Sequence, residues 1–156
     1  MQLGEVDISQ IVFDPKSRDD MPKILKGLQY LYMNVPVREE IFKILEDKVA
    51  PGQNKNNGRP GMDLWRVLVL GSIRTNLNWD YDRLHEQANS HTVIRHMLGH
   101  SSIFDKYYYE LQTIKDNVRL LTPEILDELN QVVVKAGHAL LKKRSDVNRA
   151  LRFVCC

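Results

Sequence analysis

The chain has 156 residues, 43% apolar and 27% charged, with a formal net charge of +2. It is long enough for one domain with its own core, too apolar for a disordered chain, and too near neutrality for composition alone to mark a polyanion binder. Its two cysteines, Cys155 and Cys156, are adjacent and terminal, which rules out a disulfide framework or a zinc site made of thiols alone, and no apolar run approaches a bilayer span. A cytoplasmic protein with no membrane partner is expected. Charge is distributed unevenly. Residues 1–20 carry Glu5, Asp7, Asp14, Asp19 and Asp20 against Lys16 and Arg18, whereas residues 135–152 carry Lys135, Lys142, Lys143, Arg144, Arg149 and Arg152 against Asp146. A basic end suggests a C-terminal half that faces a polyanion; a solvated helix face followed by a loose tail explains it equally well.

In chain order, residues 3–13 hold the only hint of strand alternation, in Val6, Ile8, Ile11, Val12 and Phe13. Asp20 before Met21-Pro22 predicts an N-cap, and Ile24, Leu25, Leu28, Leu31 and Tyr32 recur at helical spacing over 21–33. Pro36 opens a second helix with Val37, Ile41, Ile44, Leu45 and Val49 as its stripe, ended by Pro51-Gly52. GQNKNNGRPG, residues 52–61, reads as a loop and linker. Asp63 caps the next helix, whose Leu64, Trp65, Val67, Leu68, Val69, Leu70 and Ile73 are apolar nearly all round, the mark of a buried helix. Asp80 opens a helix to residue 89 with Tyr81, Leu84 and Ala88 on one face. Thr92–Leu98 follows and ends at Gly99. His100–Lys106 is a loop. Tyr107–Leu120 reads as helix with Tyr108, Leu111, Ile114 and Val118 inward, and Thr122-Pro123-Glu124 starts a long helix to about Lys143. The class is all-α.

NWDYDRLHEQANSHTVIRHMLGH, residues 78–100, concentrates four of the five histidines. His96 and His100 have the spacing of a helical metal pair, but Gly99 ends the helix between them and no third strong ligand is near, so no metal site is expected. No phosphate loop, nucleophile elbow or cysteine–histidine pair announces catalysis, and the acids fall at caps or on polar faces. The histidines read as surface or capping groups. The three helices 80–89, 92–98 and 107–120, joined by tight turns, have the spacing of a helix-turn-helix-like module. On this reading Gln112, Lys115, Asn117 and Arg119 face DNA, Arg83 and Arg95 support them, and Lys142, Lys143 and Arg144 add phosphate contacts.

GRPGMDLWRVLVLG, NWDYDRLHEQANSHTVIRHMLGH and YELQTIKDNVRLLTPEILDELNQVVVKAGH, in that order over 58–143, resemble the N-terminal region of bacterial insertion-sequence transposases, the ISNCY-type elements of the broad DDE class. The resemblance implies a region that binds element DNA and assembles the transposase on its ends, ahead of a catalytic domain whose three acids hold two divalent metals such as Mg. Here RSDVNRALRFVCC follows the long helix where the resemblance implies the strand bearing the first acid. The expectation is therefore a chain that is not itself an enzyme, needs no cofactor, and divides into a helical segment 1–57, a DNA-binding and assembly domain 58–143 and a basic tail 144–156. Partners would be DNA of the element ends, and itself or a full-length transposase. Two alternatives stand beside it. One is a helical interaction module in which helices 61–76 and 122–143 pair with another copy and regulate assembly. The other is a gene fragment with no selected function.

Overall fold

The computed structural model of the chain describes residues 7–49, 62–101 and 105–141. Among them are a 3-10 turn at Ile8–Gln10 and seven helices: α1 Met21–Met33, α2 Val35–Lys48, α3 Leu64–Leu77, α4 Tyr81–Ser90, α5 Thr92–Met97, α6 Leu111–Val118 and α7 Pro123–Leu141. No strand occurs among the described residues, so the all-α class read from the sequence is correct. None of these helices is long and apolar enough to cross a membrane. The 52–61 loop, the basic residues Lys142, Lys143 and Arg144, and the tail 144–156 lie outside the described residues.

The architecture is organised around α3, which packs against α1, α2, α4 and α6. Its start is fixed by Asp63, whose Oδ1 accepts from the Trp65 N–H at 2.8 Å, and its end by Asn78 in the left-handed region at φ 52°. Val69, Leu70 and Ile73 are fully buried and Trp65 and Leu68 nearly so, as a helix apolar on all sides must be. Around it, α1 and α2 pack on each other, α2 pairs with α7, and α4 packs on α5 and α6. One hydrophobic cluster runs from Ile8 to Val133. Buried Val37, Ile41 and Leu45 form the stripe expected of α2, with Ile44 half-buried.

Three local expectations fail, each for a polar reason. The described part of 3–13 is not a strand. Asp7 caps a 3-10 turn through Ser9, and the Gln29 side chain donates to the carbonyls of Ile8 (2.8 Å) and Ile11 (2.9 Å), satisfying backbone that a strand would have paired. Asp20 does not cap α1 with its side chain. Its own backbone is already helical, Asp19 Oδ1 accepts from the Met21 N–H at 3.3 Å, and Asp20 pairs with Lys23. The helix expected over Tyr107–Leu120 begins only at Leu111. Tyr107–Glu110 is not helical, so the link from α5 to α6 is no tight turn, and Tyr109 is buried while Tyr108, read as inward, is 55% exposed.

Where α3 meets the turn before α7, Gly71 lies against the tip of Leu121: a Cβ there would lie 2.5 Å from Leu121 Cδ2, the far end of a side chain that can turn aside. Gly71→Ala is expected to change the unfolding free energy by less than about 1 kcal/mol, since alanine's better helix propensity offsets the shift of Leu121. Urea denaturation measures this directly, and a loss of more than about 2 kcal/mol would show that Leu121 cannot turn aside.

Candidate nucleic-acid interface

Helices α4 and α5 are separated by His91 alone and form a sharp corner. Asp80 Oδ1 accepts from the Arg83 N–H at 2.7 Å to start α4, and Leu84 and Ala88 turn inward. His91 ends α4 through its N–H to Gln87 O (2.8 Å) and starts α5 through Nδ1, which accepts from the Ile94 N–H at 3.3 Å. Gly99, at φ 91°, closes α5: its N–H reaches His96 O and the His100 N–H reaches Arg95 O. The end of α5 is tied to α3 by Trp65 Nε1 donating to Met97 O (2.8 Å) and Arg66 Nε donating to Leu98 O (3.0 Å).

The chain then returns as a non-helical segment, 105–110, bound almost entirely by side chains. Asn89 brackets Tyr109, accepting from its N–H at 2.7 Å and donating to its carbonyl at 3.0 Å. Arg95 donates to the carbonyls of Ala88, Asp105 and Tyr107. His100 is 2% exposed and joins Asp105 through Nδ1 and the Tyr109 hydroxyl through Nε2. The result is a row of three tyrosines with alternating fates. Tyr109 enters the core, Tyr107 stacks on His100 at 5.3 Å, and Tyr108 points outward with its hydroxyl 2.9 Å from His85 Nε2.

Burial pushes the His100 imidazole below its ordinary value, helped by the Arg66 and Arg95 guanidiniums and opposed by Asp105. Burial would raise Asp105, but hydrogen bonds from His100 and the Tyr107 N–H outweigh it and hold the carboxyl below its usual range. Burial pushes the Tyr109 hydroxyl well up. The consistent assignment is a neutral imidazole that donates to an ionised Asp105 and accepts from a protonated Tyr109. His100 is thus a buried structural group and not the surface or capping group read from the sequence, whereas His91 does cap α5. His91 is likewise lowered, chiefly by burial.

The expected DNA-facing residues fall in two groups. On α6, Gln112 donates to Asp116 at 2.9 Å, Arg119 pairs with the same carboxylate at 3.6 Å, and Asn117 donates back to Thr113 O at 2.7 Å; Lys115 forms no ion pair among the described residues. Arg83, at the start of α4, lies over the Trp79 ring at 4.8 Å and is not joined to the α6 group. Arg95 is committed to three carbonyls and serves as a strut of the fold. Lys142, Lys143 and Arg144 lie outside the described residues. Acids outnumber lysines and arginines across the described residues, so the positive excess of the whole chain resides elsewhere, mainly in Lys142–Arg152. Sequence reading missed Asn89, Asp105, Tyr109 and Arg66. None carries a periodic signal, since each acts across the chain on a non-helical segment. Compared with protein families, curated proteins and solved structures, the chain matches none.

Because His100 and His91 are lowered from 6.5 in the folded chain, the folded state binds fewer protons than the unfolded one. Their contribution is complete above pH 6.5 and is lost as pH falls through the depressed values; that of Asp105 persists until pH falls below its unfolded value of 3.8. The melting temperature is therefore expected to fall between pH 7.5 and 5, and His100→Gln to flatten that slope; equal slopes in the two chains would refute the assignment. Asn89→Ala leaves the Tyr109 N–H and carbonyl without their partner and is expected to cost about 1–3 kcal/mol in urea denaturation.

Proposed function

We propose that the chain is a DNA-docking and assembly region of an insertion-sequence transposase. The observation that supports the reading is the unit of α4, α5, the side-chain-bound 105–110 segment and α6, which lacks the tight turn expected before its last helix but leaves Gln112, Arg119, Tyr107 and Tyr108 exposed. The three sequence blocks that resemble transposases fall on this unit and on the helices that flank it, α3 and α7.

The chemistry divides the work. Gln112 offers the paired donor and acceptor that suit an adenine edge, and Arg119 and Lys115 suit phosphates or guanine. Asp116 accepts from Gln112 and Arg119 in the free protein and opposes phosphate on the same helix, so α6 selects among sequences more than it attracts DNA. General attraction falls to Lys142, Lys143 and Arg144. Arg95 contributes by fixing the 105–110 segment rather than by meeting DNA. A partner-binding reading also has support at a different place from the one expected. Helix α3 is enclosed by its own chain, whereas Met33 (56% exposed) and Val35 (47%) leave apolar surface at the α1–α2 corner.

The test is a binding titration against ends of the source element and against scrambled DNA of equal length, at two salt concentrations. Gln112→Ala with Arg119→Ala is expected to remove the preference for the ends while leaving binding to scrambled DNA nearly intact. Replacing Lys142, Lys143 and Arg144 with Ala is expected to weaken both DNAs and to reduce the salt slope by about 2–3, at about 0.9 per phosphate contact. No preference for the ends in the native chain would reject the reading, and a mass that rises with concentration in the absence of DNA would favour the partner-binding one.

A further inference from the structure

A cleft of about 380 Å³ opens beside the interface, lined by Tyr32 of α1, Arg38 of α2, Trp65 and Arg66 of α3, and the carboxylates of Asp7 and Asp63. Its charged groups are fixed but not paired with one another. Arg38 donates from Nη1 to Tyr32 O at 3.1 Å and lies 5.1 Å from the Tyr32 ring centroid. Arg66 donates from Nε to Leu98 O at 3.0 Å and lies 5.8 Å from the Tyr107 ring centroid. Each guanidinium is thereby oriented with part of its fork uncommitted, and neither forms an ion pair among the described residues. Asp7 and Asp63 cap their own local turns through Oδ1. Tyr32 and Trp65 meet at 4.9 Å between centroids, placing an aromatic wall beside the two arginines.

We propose that this cleft binds one nucleoside monophosphate unit, with its base against the edge of the Tyr32–Trp65 pair and its phosphate on Arg38 and Arg66. Planar guanidinium forks match phosphate oxygens two at a time, and apolar packing on aromatic side chains accepts any base. The carboxylates add a preference: they accept from an exocyclic amino group, which adenine, cytosine and guanine carry and thymine lacks, and they repel a longer phosphate chain. The volume lies at the lower end of the roughly 300–1,000 Å³ typical of small-molecule sites, suited to one nucleotide and not to duplex. The nucleotide comes either free from solution or as one unit of a single strand. None of the residues placed on the DNA-facing side of α6 takes part, so this proposal and the docking function fail separately.

Trp65 lines the cleft and is one of two tryptophans, so Trp79→Phe makes it the sole reporter. The fluorescence of that chain would be titrated with dAMP, dTMP, inorganic phosphate and an oligo-dA strand. A saturable change with dAMP is expected, several-fold weaker with dTMP, and weakened at least tenfold by Arg38→Gln or Arg66→Gln but not by Lys26→Gln, an exposed position on α1. Arg38→Lys keeps the charge without the fork; it is expected to lose several-fold in affinity with an unchanged melting curve, which separates binding from folding. A response to oligo-dA alone, with the same arginine dependence, supports the site with the strand as its source. Inorganic phosphate binding as tightly as dAMP would reduce the cleft to an anion site and overturn the proposal, as would no saturable response to either dAMP or oligo-dA.

Discussion

The rest of the fold depends on the burial of α3. Every residue from Val67 to Ile73 is buried, so this stretch has no solvent face and must be enclosed, and α1, α2, α4 and α6 supply the enclosure. That requirement sets where the other helices can lie before any polar contact is made. The polar contacts that matter most then radiate from the same helix: Trp65 and Arg66 are consecutive, one largely buried and one half-buried, and both donate to carbonyls at the end of α5. These two bonds satisfy acceptors that a helix terminus leaves without partners, and they hold the α4–α5 corner against the core.

The 105–110 segment shows what replaces secondary structure when a chain must run extended beside helices. A strand partner is absent, so its backbone groups are met by Asn89 and Arg95, and its side chains by a buried histidine. The arrangement works because each side chain is matched in valence to what it meets. An amide has one acceptor and donors to bracket a peptide unit, a guanidinium can reach several carbonyls at once, and a neutral imidazole links a carboxylate to a hydroxyl. The outcome is that Tyr107 and Tyr108 are held at the surface by half-buried Asn89 and Arg95 and by buried His100.

What the sequence made legible follows from what is periodic. The apolar stripes of α1 and α2, the all-round burial of α3 and the caps at Asp63 and Asp80 are local or repeating signals, and each appears where expected. The start of α6 was not legible, because Tyr107–Glu110 has the composition of a helix and is kept out of one by Asn89 and Arg95, twenty and twelve positions away from the backbone they hold. The same blindness hid His100. A histidine among polar neighbours reads as exposed until a tertiary partner for each ring nitrogen is known, and of those partners Asp105 lies in the loop expected at 100–106 and Tyr109 on the stretch expected to be helical.

Arg66 connects the two proposed surfaces. Its backbone belongs to the buried α3, its Nε is anchored at the end of α5, and its guanidinium lies both in the wall of the cleft and over Tyr107 of the outward segment. A ligand phosphate that drew this guanidinium would alter the contact that backs Tyr107, and a nucleic acid that moved Tyr107 would alter the cleft. Coupling of this kind is reciprocal, since whatever one site does to the other through a shared group is returned in equal free energy.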